Sequence, residues 1–254
     1  MPRGPRVECC GYHHVYNRGV AKGIIFQDNN DKERFLKILD EVCRAYSFNI
    51  HSFCLMSNHY HLIVENLREN LSSGMRQINS QYASYFNKRH KRVGHLWQGR
   101  FKSWYVADEN YLYTLFKYIE QNPVKANMST RVGEYKYCST YSIFRDAVPR
   151  FLLNSFVLRN YPTKDLFKSM QIPMSKQEQE CIKNIENTKY IDISDDRVPI
   201  IQANLEDIIT DYTDKKMRNK LILKAFNEGH TKSEIARKVK LSVTGVTKII
   251  KSLK

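Results

Sequence analysis

The chain has 254 residues, 42% of them hydrophobic, and carries 41 Lys and Arg against 26 Asp and Glu, a net charge of +15. That length suits one full α/β domain with a smaller second one. No apolar run reaches membrane length and no leader pattern is present, so the expectation is a cytoplasmic protein, nucleoid-associated if bacterial, with no membrane partner; six cysteines without a C-x-x-C pair read as reduced thiols and argue against a zinc site built from them.

The first residues, with Pro2, Gly4 and Pro5, read as a loose arm. Tyr12 to Val20 has the aromatic and β-branched content of a strand, with Arg18-Gly19 as its turn. Residues 28–46 place Phe35, Leu36, Ile38, Leu39 and Val42 at helical spacing, with Asp28 or Asn30 as a cap. Phe48 to Met56 reads as a strand, residues 56–58 as a tight reversal, and His59 to Glu65 as the antiparallel partner. Alternation along that partner puts His59 and His61 on one face and Tyr60, Leu62 and Val64 on the other. Two imidazoles on one face of a rigid strand suit a divalent metal, and they equally describe a partly solvated surface. The strand–helix–strand–strand order predicts an antiparallel sheet with helices on one face.

Residues 70–89 read as a second helix, ending in the basic loop Lys88-Arg89-His90-Lys91-Arg92. The stretch Gly94 to Ser103 is too glycine-rich for a helix and too aromatic for an idle linker, and Trp104 to Val106 reads as one more strand. Between Glu69 and Asp108 there is no acidic residue, whereas Arg76, Lys88, Arg89, Lys91, Arg92, Arg100 and Lys102 all fall there. Aromatic rings are interleaved with these cations, a combination that suits unpaired bases as well as backbone phosphates. A basic block alone can also be a solvated face.

With Asp108 as its cap, a helix follows from Glu109 to about Asn122. Leu112, Phe116 and Ile119 form its core stripe, and Tyr111, Leu115, Tyr118 and Asn122 lie along a neighbouring face, so Tyr118 and Asn122 sit one turn apart. Pro123 ends or kinks the helix at Asn122. On this pattern alone Tyr118 is either a core-edge tyrosine or a reactive one. Tyr135 to Tyr141 reads as a short extended piece, followed by a region of weak periodicity.

Residues 163–214 hold eleven acidic against six basic side chains, whereas twelve Lys and Arg from Lys215 onward face only Glu228 and Glu234. The expected organisation is therefore a first domain over 1–145, an acidic connecting segment over 146–214 and a small domain over 215–254. In the last, Met217 to Asn227 is helical, Thr231-Lys232-Ser233-Glu234 opens a second helix as a capping box, and Val243 to Leu253 forms a third. This is a helix-turn-helix pattern whose last helix offers Ser242, Thr244 and Lys248 to duplex DNA; a three-helix unit without a nucleic-acid role would look similar.

Four ordered stretches resemble one family, the REP-associated tyrosine transposases, a branch of the single-tyrosine HUH or IS200-like transposases. They are Asn17-Arg18-Gly19, Leu55 to Val64, Gly94 to Ser103, and Tyr118 to Ala126. The resemblance implies an α+β, ferredoxin-like antiparallel sheet of the HUH endonuclease type. It implies His59 and His61 as ligands of one Mg²⁺ or Mn²⁺, Tyr118 as nucleophile and Asn122 as the polar third ligand. Two positions depart from the family pattern: Tyr60 stands where a plain hydrophobe is usual, and Asn122 is shorter than the glutamine of related transposases. Arg18, Trp97 and Gln98 join the basic residues above as DNA contacts. The expected activity is nicking and rejoining of single-stranded hairpin or repeat DNA through a 5′-phosphotyrosine, by a monomer or homodimer. Metal-bound hydroxide, His95 or the DNA phosphate could accept the Tyr118 proton, and Tyr111 is the rival nucleophile. The alternative is a DNA-binding regulator whose nuclease fold no longer cuts.

Overall fold

The computed structural model describes residues 8–106, 110–187, 189–193, 196–200, 205–210, 214–227, 230 and 232–252. They fall into two compact units, Met1–Glu186 and Asn187–Lys254. The expected N-terminal arm, the Asp108 cap, the start of the next helix at Glu109 and the Thr231 cap lie outside the described residues.

The first unit opens with β1 (Gly11–Arg18), α1 (Asn29–Tyr46), β2 (Phe48–Leu55), β3 (His59–Asn66), α2 (Leu71–Arg89) and β4 (Lys102–Val106). The strands lie in the order β2-β3-β1-β4 with every neighbouring pair antiparallel, the ferredoxin-like arrangement. Local chemistry sets the boundaries. The Asp28 carboxylate accepts the Asp31 N–H at 3.1 Å and caps α1, which buries Phe35, Ile38, Leu39 and Val42 and ends at Ser47 in the left-handed region (φ 58°). The β2–β3 reversal is closed by Met56 N–H donating to the His59 carbonyl at 2.9 Å.

Cross-strand register decides what each face of the sheet carries. Tyr60 stands opposite Asn17 and Leu55, and Leu62 opposite Val15 and Phe53. The Tyr60 ring packs on Phe35 and Trp97, and its hydroxyl donates to Asn79 Oδ1 at 3.0 Å, so α1 and α2 close this face. The opposite face meets α3 (Asn110–Glu120): the His61 and Tyr118 rings lie 5.9 Å apart, and Ser52 Oγ donates to Glu120. Helices therefore cover both faces, which corrects the expectation of helices on one. The reason is visible in β2 and β3, which are buried along almost their whole length. A sheet with one face in water would alternate instead.

After α3 the chain breaks at Gln121 and resumes as α4 (Asn122–Lys125), with Pro123 in its first turn, as the proline required. The piece expected to be extended over 135–141 is mostly not a strand. It touches the sheet through one antiparallel backbone pairing of Cys138 with Cys54, both free thiols, and through the Leu55 N–H to Tyr137 carbonyl bond (2.9 Å), then coils into α5 (Ser139–Ile143). The connecting segment expected over 146–214 is also not a single spacer. Its first part forms α6 (Phe156–Asn160), α7 (Thr163–Met170) and α8 (Lys176–Asn187), which bury Val157, Leu166, Met170 and Ile182 in the first unit's core. α6 and α7 have only 5 and 8 residues, and α8, with 12, is mostly polar, so each shows a narrow apolar stripe.

In the second unit, β5 (Lys189–Ile193) and β6 (Asp196–Ile200) pair as a hairpin. Helices α9 (Leu205–Ile208), α10 (Lys215–Asn227), α11 (Lys232–Lys238) and α12 (Val243–Ser252) follow, and Ile222, Ala225, Ile235, Val246 and Ile250 form the core of this unit. Among the described residues no helix is long and apolar enough to cross a membrane.

Candidate active site

The face of the sheet turned toward α3 can be read from the register. Arg18 stands opposite His59, Tyr16 stands between His61 and Lys102, and His14 stands between Ile63 and Trp104. Side chains of β1, β3 and β4 thus converge on one surface, and α3 and α4 bring Tyr118 and Asn122 to it. A cleft of about 310 Å³ results, lined by Tyr16, Arg18, His59, His61, Lys102 and Trp104 of the sheet together with Tyr118 and Asn122. The histidine pair, the tyrosine and the amide singled out from sequence therefore share one cavity. Tyr111, the rival nucleophile, is 42% exposed and does not line it.

A short relay of polar groups orients the His59 ring. Asn58 Nδ2 donates to the Lys22 carbonyl at 3.0 Å, which turns Asn58 Oδ1 toward His59 Nδ1 at 2.6 Å. A carbonyl oxygen can only accept, so Nδ1 carries the proton and Nε2 keeps its lone pair. His61 is buried, and its Nδ1 lies 2.9 Å from Nε2 of His14, also fully buried. Burial, with Arg18 adding to it, lowers the His59 pKa to about 4, and burial holds His61 well below its ordinary value. Both rings are neutral at neutral pH, the form that can donate a lone pair. Asn122 Nδ2 is buried without a hydrogen-bond partner. Among the described residues no three His, Cys, Asp or Glu side chains gather as a metal-binding group, so an ion here would rest on the two imidazoles and the amide.

Tyr118 is held by its neighbours on two sides. Its ring meets His61 and His14 edge-on, at centroid distances of 5.9 and 6.2 Å, and the Lys125 ammonium lies 5.2 Å from its centroid. A cation there lies against the negative face of the ring. Below the tyrosine, the buried Glu120 carboxylate accepts from Ser52 Oγ (2.9 Å), Thr140 Oγ1 (2.7 Å) and Thr140 N–H (3.0 Å), tying the end of α3 to β2 and α5.

Sequence reasoning missed His14, Tyr16 and Lys125. Alternation along β1 could have placed His14 and Tyr16 on the face of Arg18, and Lys125 lies seven residues, two helical turns, beyond Tyr118.

The residues expected to touch DNA are placed unequally. Arg18, Gln98, Arg100 and Lys102 line a second cleft of about 560 Å³ that shares Tyr16, Arg18, Lys102 and Trp104 with the first, and Arg18 Nε donates to Gln98 Oε1 at 2.7 Å. A third cleft, about 690 Å³, carries Arg76 and Arg100 with Trp97 on its wall. Trp97 also serves the core, its Nε1 donating to the Asn79 carbonyl at 2.9 Å and its ring packed on Tyr60 and Tyr82. Arg89 is engaged by Asp28 and Asp31 in a paired ionic contact at the start of α1. Lys88 and Lys91 are exposed, while Arg92 lies over the Phe86 ring. In the second unit Ser242, Thr244 and Lys248 are exposed, and Ser242 Oγ caps α12 by accepting the Gly245 N–H at 3.0 Å.

Residues 6–122 match the family model "Transposase IS200 like". No curated protein matches the chain. Among solved structures, a REP-associated tyrosine transposase bound to a REP hairpin is 18% identical, with 62% of this chain and 93% of that one covered and a TM-score of 0.48. A transposase candidate from Deinococcus radiodurans is 12% identical over 48% of this chain and 97% of its own (TM-score 0.34), and tRNA(His) guanylyltransferase from Saccharomyces cerevisiae is 11% identical over 68% and 76% (TM-score 0.36). TM-scores below 0.5 leave the assignment to the family match and to the four ordered motifs. On those, residues 6–122 of the first unit are similar to the transposases of the IS200-like family.

Proposed function

We propose that the first unit nicks and rejoins single-stranded or hairpin DNA, with Tyr118 as the nucleophile. One observation carries this reading: Tyr118 and Asn122 line the same cleft as His59 and His61, although α2 and β4 separate α3 and α4 from β3 in the sequence. The donor set can hold a divalent cation, since His59 and His61 are neutral imidazoles in the cleft and the Asn122 amide oxygen can complete it; Mg²⁺ or Mn²⁺ is the ion that the family resemblance implies. Such an ion, when bound, neutralises charge on the non-bridging phosphate oxygens. His59 and His61 would hold it and Asn122 would complete the set.

The protein's own groups account for the rest. Arg18 and Lys102 flank the cleft and bind the phosphates on either side of the scissile bond, while Arg76 and Arg100 continue the cationic track. Tyr118 oxygen attacks phosphorus, the 3′-oxygen leaves, and the 5′-phosphate remains esterified to the tyrosine. Free tyrosine, with a pKa of about 10, is only about a thousandth ionised at neutral pH. Lys125, over the ring, is placed to stabilise negative charge that develops as Tyr118 attacks. A 3′-hydroxyl attacking the phosphotyrosine reverses the step and conserves the bond. The exposed cap residue Ser242 and the exposed α12 residues Thr244 and Lys248 are proposed to contact duplex DNA in the second unit.

The experiment is incubation of the full chain with labelled hairpin oligonucleotide and Mn²⁺, resolved on a denaturing gel. A covalent protein–DNA band that Tyr118→Phe abolishes is expected. Persistence of that band in the variant would overturn the choice of nucleophile, and no band in wild type with intact DNA binding would favour a regulator that binds without cutting.

A further inference from the structure

His14 is a fully buried imidazole that neither the motifs nor the proposed chemistry uses. It stands on β1, its ring nearly coplanar with that of His61 (centroids 5.2 Å apart, 17° between planes) and near the Trp104 ring (5.1 Å, 30°), with the Tyr118 ring centroid 6.2 Å away at a steep angle. Its Nε2 lies 2.9 Å from His61 Nδ1, and its own Nδ1 is buried without a hydrogen-bond partner. An N···N contact of that length between neutral rings holds a single proton, and the proton has two possible owners.

When His14 Nε2 carries it, His61 Nδ1 accepts. His61 must then keep its proton on Nε2 and has no lone pair left for an ion. When His61 Nδ1 carries it, His14 Nε2 accepts, and His61 Nε2 becomes a lone-pair donor. His14 then holds its proton on Nδ1, where it meets no acceptor. Net charge is the same in both states. An unpartnered buried N–H is the costlier arrangement, so the ligand-competent tautomer of His61 needs a bound cation to offset it. His59 differs, because the Asn58 carbonyl fixes its proton on Nδ1 in advance.

We propose that His14 is a positioning residue: by accepting the Nδ1 proton of His61 it sets that ring's tautomer and orientation, so that the His14–His61 pair switches from a closed to a ligating state when a divalent cation arrives. The inference rests on the metal-site reading above. It assigns the pair's two ends unequal roles, with His59 preset and His61 induced.

The test is Mn²⁺ affinity of the full chain, read from the electron paramagnetic resonance signal of free Mn²⁺, for wild type, His14→Phe, His14→Gln and His59→Ala. Removing such an outer partner is expected to weaken binding roughly ten- to a hundredfold in His14→Phe. His14→Gln, whose amide oxygen can still accept, is expected to restore part of it. Melting curves check folding of each variant. Should His14→Phe fail to fold, ¹⁵N chemical shifts of the wild-type imidazoles decide: His61 is expected to move from an Nε2-protonated to an Nδ1-protonated ring on Mg²⁺ addition. Wild-type affinity in a folded His14→Phe, with affinity lost in His59→Ala, would overturn the role of His14 and leave the metal site standing. An Nε2-protonated His61 at saturating Mg²⁺ would overturn it equally. Affinity unchanged in His59→Ala would sink the metal site and this inference together.

Discussion

The two faces of the same sheet are built from alternate residues of the same strands, yet one is a core and the other a site. On the face toward α1 and α2, Val15, Leu55, Tyr60 and Leu62 are all buried. Even the polar atom on Tyr60 is satisfied internally by Asn79. On the face toward α3, positions one residue away carry His14, Tyr16, Arg18, His59 and His61, and the short α3 leaves a cleft beside them. A strand can therefore hold rigidity and chemistry in alternate side chains. The apolar half fixes the backbone that spaces the two imidazoles, and the polar half uses that spacing.

Substitutions on the two faces should then separate cleanly. The largest effect is expected for Tyr118→Phe, which should lower adduct formation by on the order of a thousandfold or more while leaving the melting temperature near wild type. Chelation of divalent cations, or His61→Ala, should reduce cutting by roughly a hundredfold or more, with oligonucleotide binding measured by anisotropy largely kept. On the opposite face the order of effects inverts. Tyr60→Ala should cost about 3–5 kcal/mol of stability in urea unfolding, and Tyr60→Phe, which loses the hydroxyl's bond to Asn79, about 1 kcal/mol. The rate of cutting by folded Tyr60→Phe should stay near wild type. A Tyr60→Phe variant that folds normally but cannot cut would break the division between the faces.

Smaller effects test the charges at the rim. Arg100→Ala should weaken single-strand binding and reduce the slope of log affinity against log salt by about 1, with the same chemical rate at saturating DNA. Thr244→Ala with Lys248→Ala should weaken duplex binding and spare cutting of a short oligonucleotide. The smallest effect concerns Asp28, whose carboxyl the Arg89 guanidinium holds down at about 2, from an ordinary 3.8. A depressed carboxylate stabilises the fold above its unfolded pKa and loses that contribution as pH falls toward its folded one. Asp28→Asn keeps the helix cap, so its deficit in urea midpoint should be full near pH 6 and fade between about pH 4 and 2.

What the sequence disclosed and what it hid divide along the same line. Alternation from His59 to Val64 gave the correct face for each residue, because parity is local to one strand. The spacing of Tyr118 and Asn122 on their helix was likewise legible. Parity does not say which helix will cover a face, so helices were expected on one face of the sheet only. Nor does it give register between strands, and only the pairing of His14 with Ile63 brings its ring to His61. The helices over 156–187 were hidden for a different reason, being short and rich in polar residues. Arg89 looked like one more cation in a basic loop, and nothing nearby in sequence announces that two aspartates some sixty residues earlier hold it.

The identity of the side chain that carries the DNA decides between Tyr118 and its rivals. Digestion of the covalent adduct and mass spectrometry of the nucleotide-linked peptide would name it directly. The expected result is a phosphodiester to the hydroxyl of Tyr118, found only when Mn²⁺ or Mg²⁺ is supplied. Linkage to Tyr111, to any other residue, or to Tyr118 in the absence of a divalent cation would contradict it.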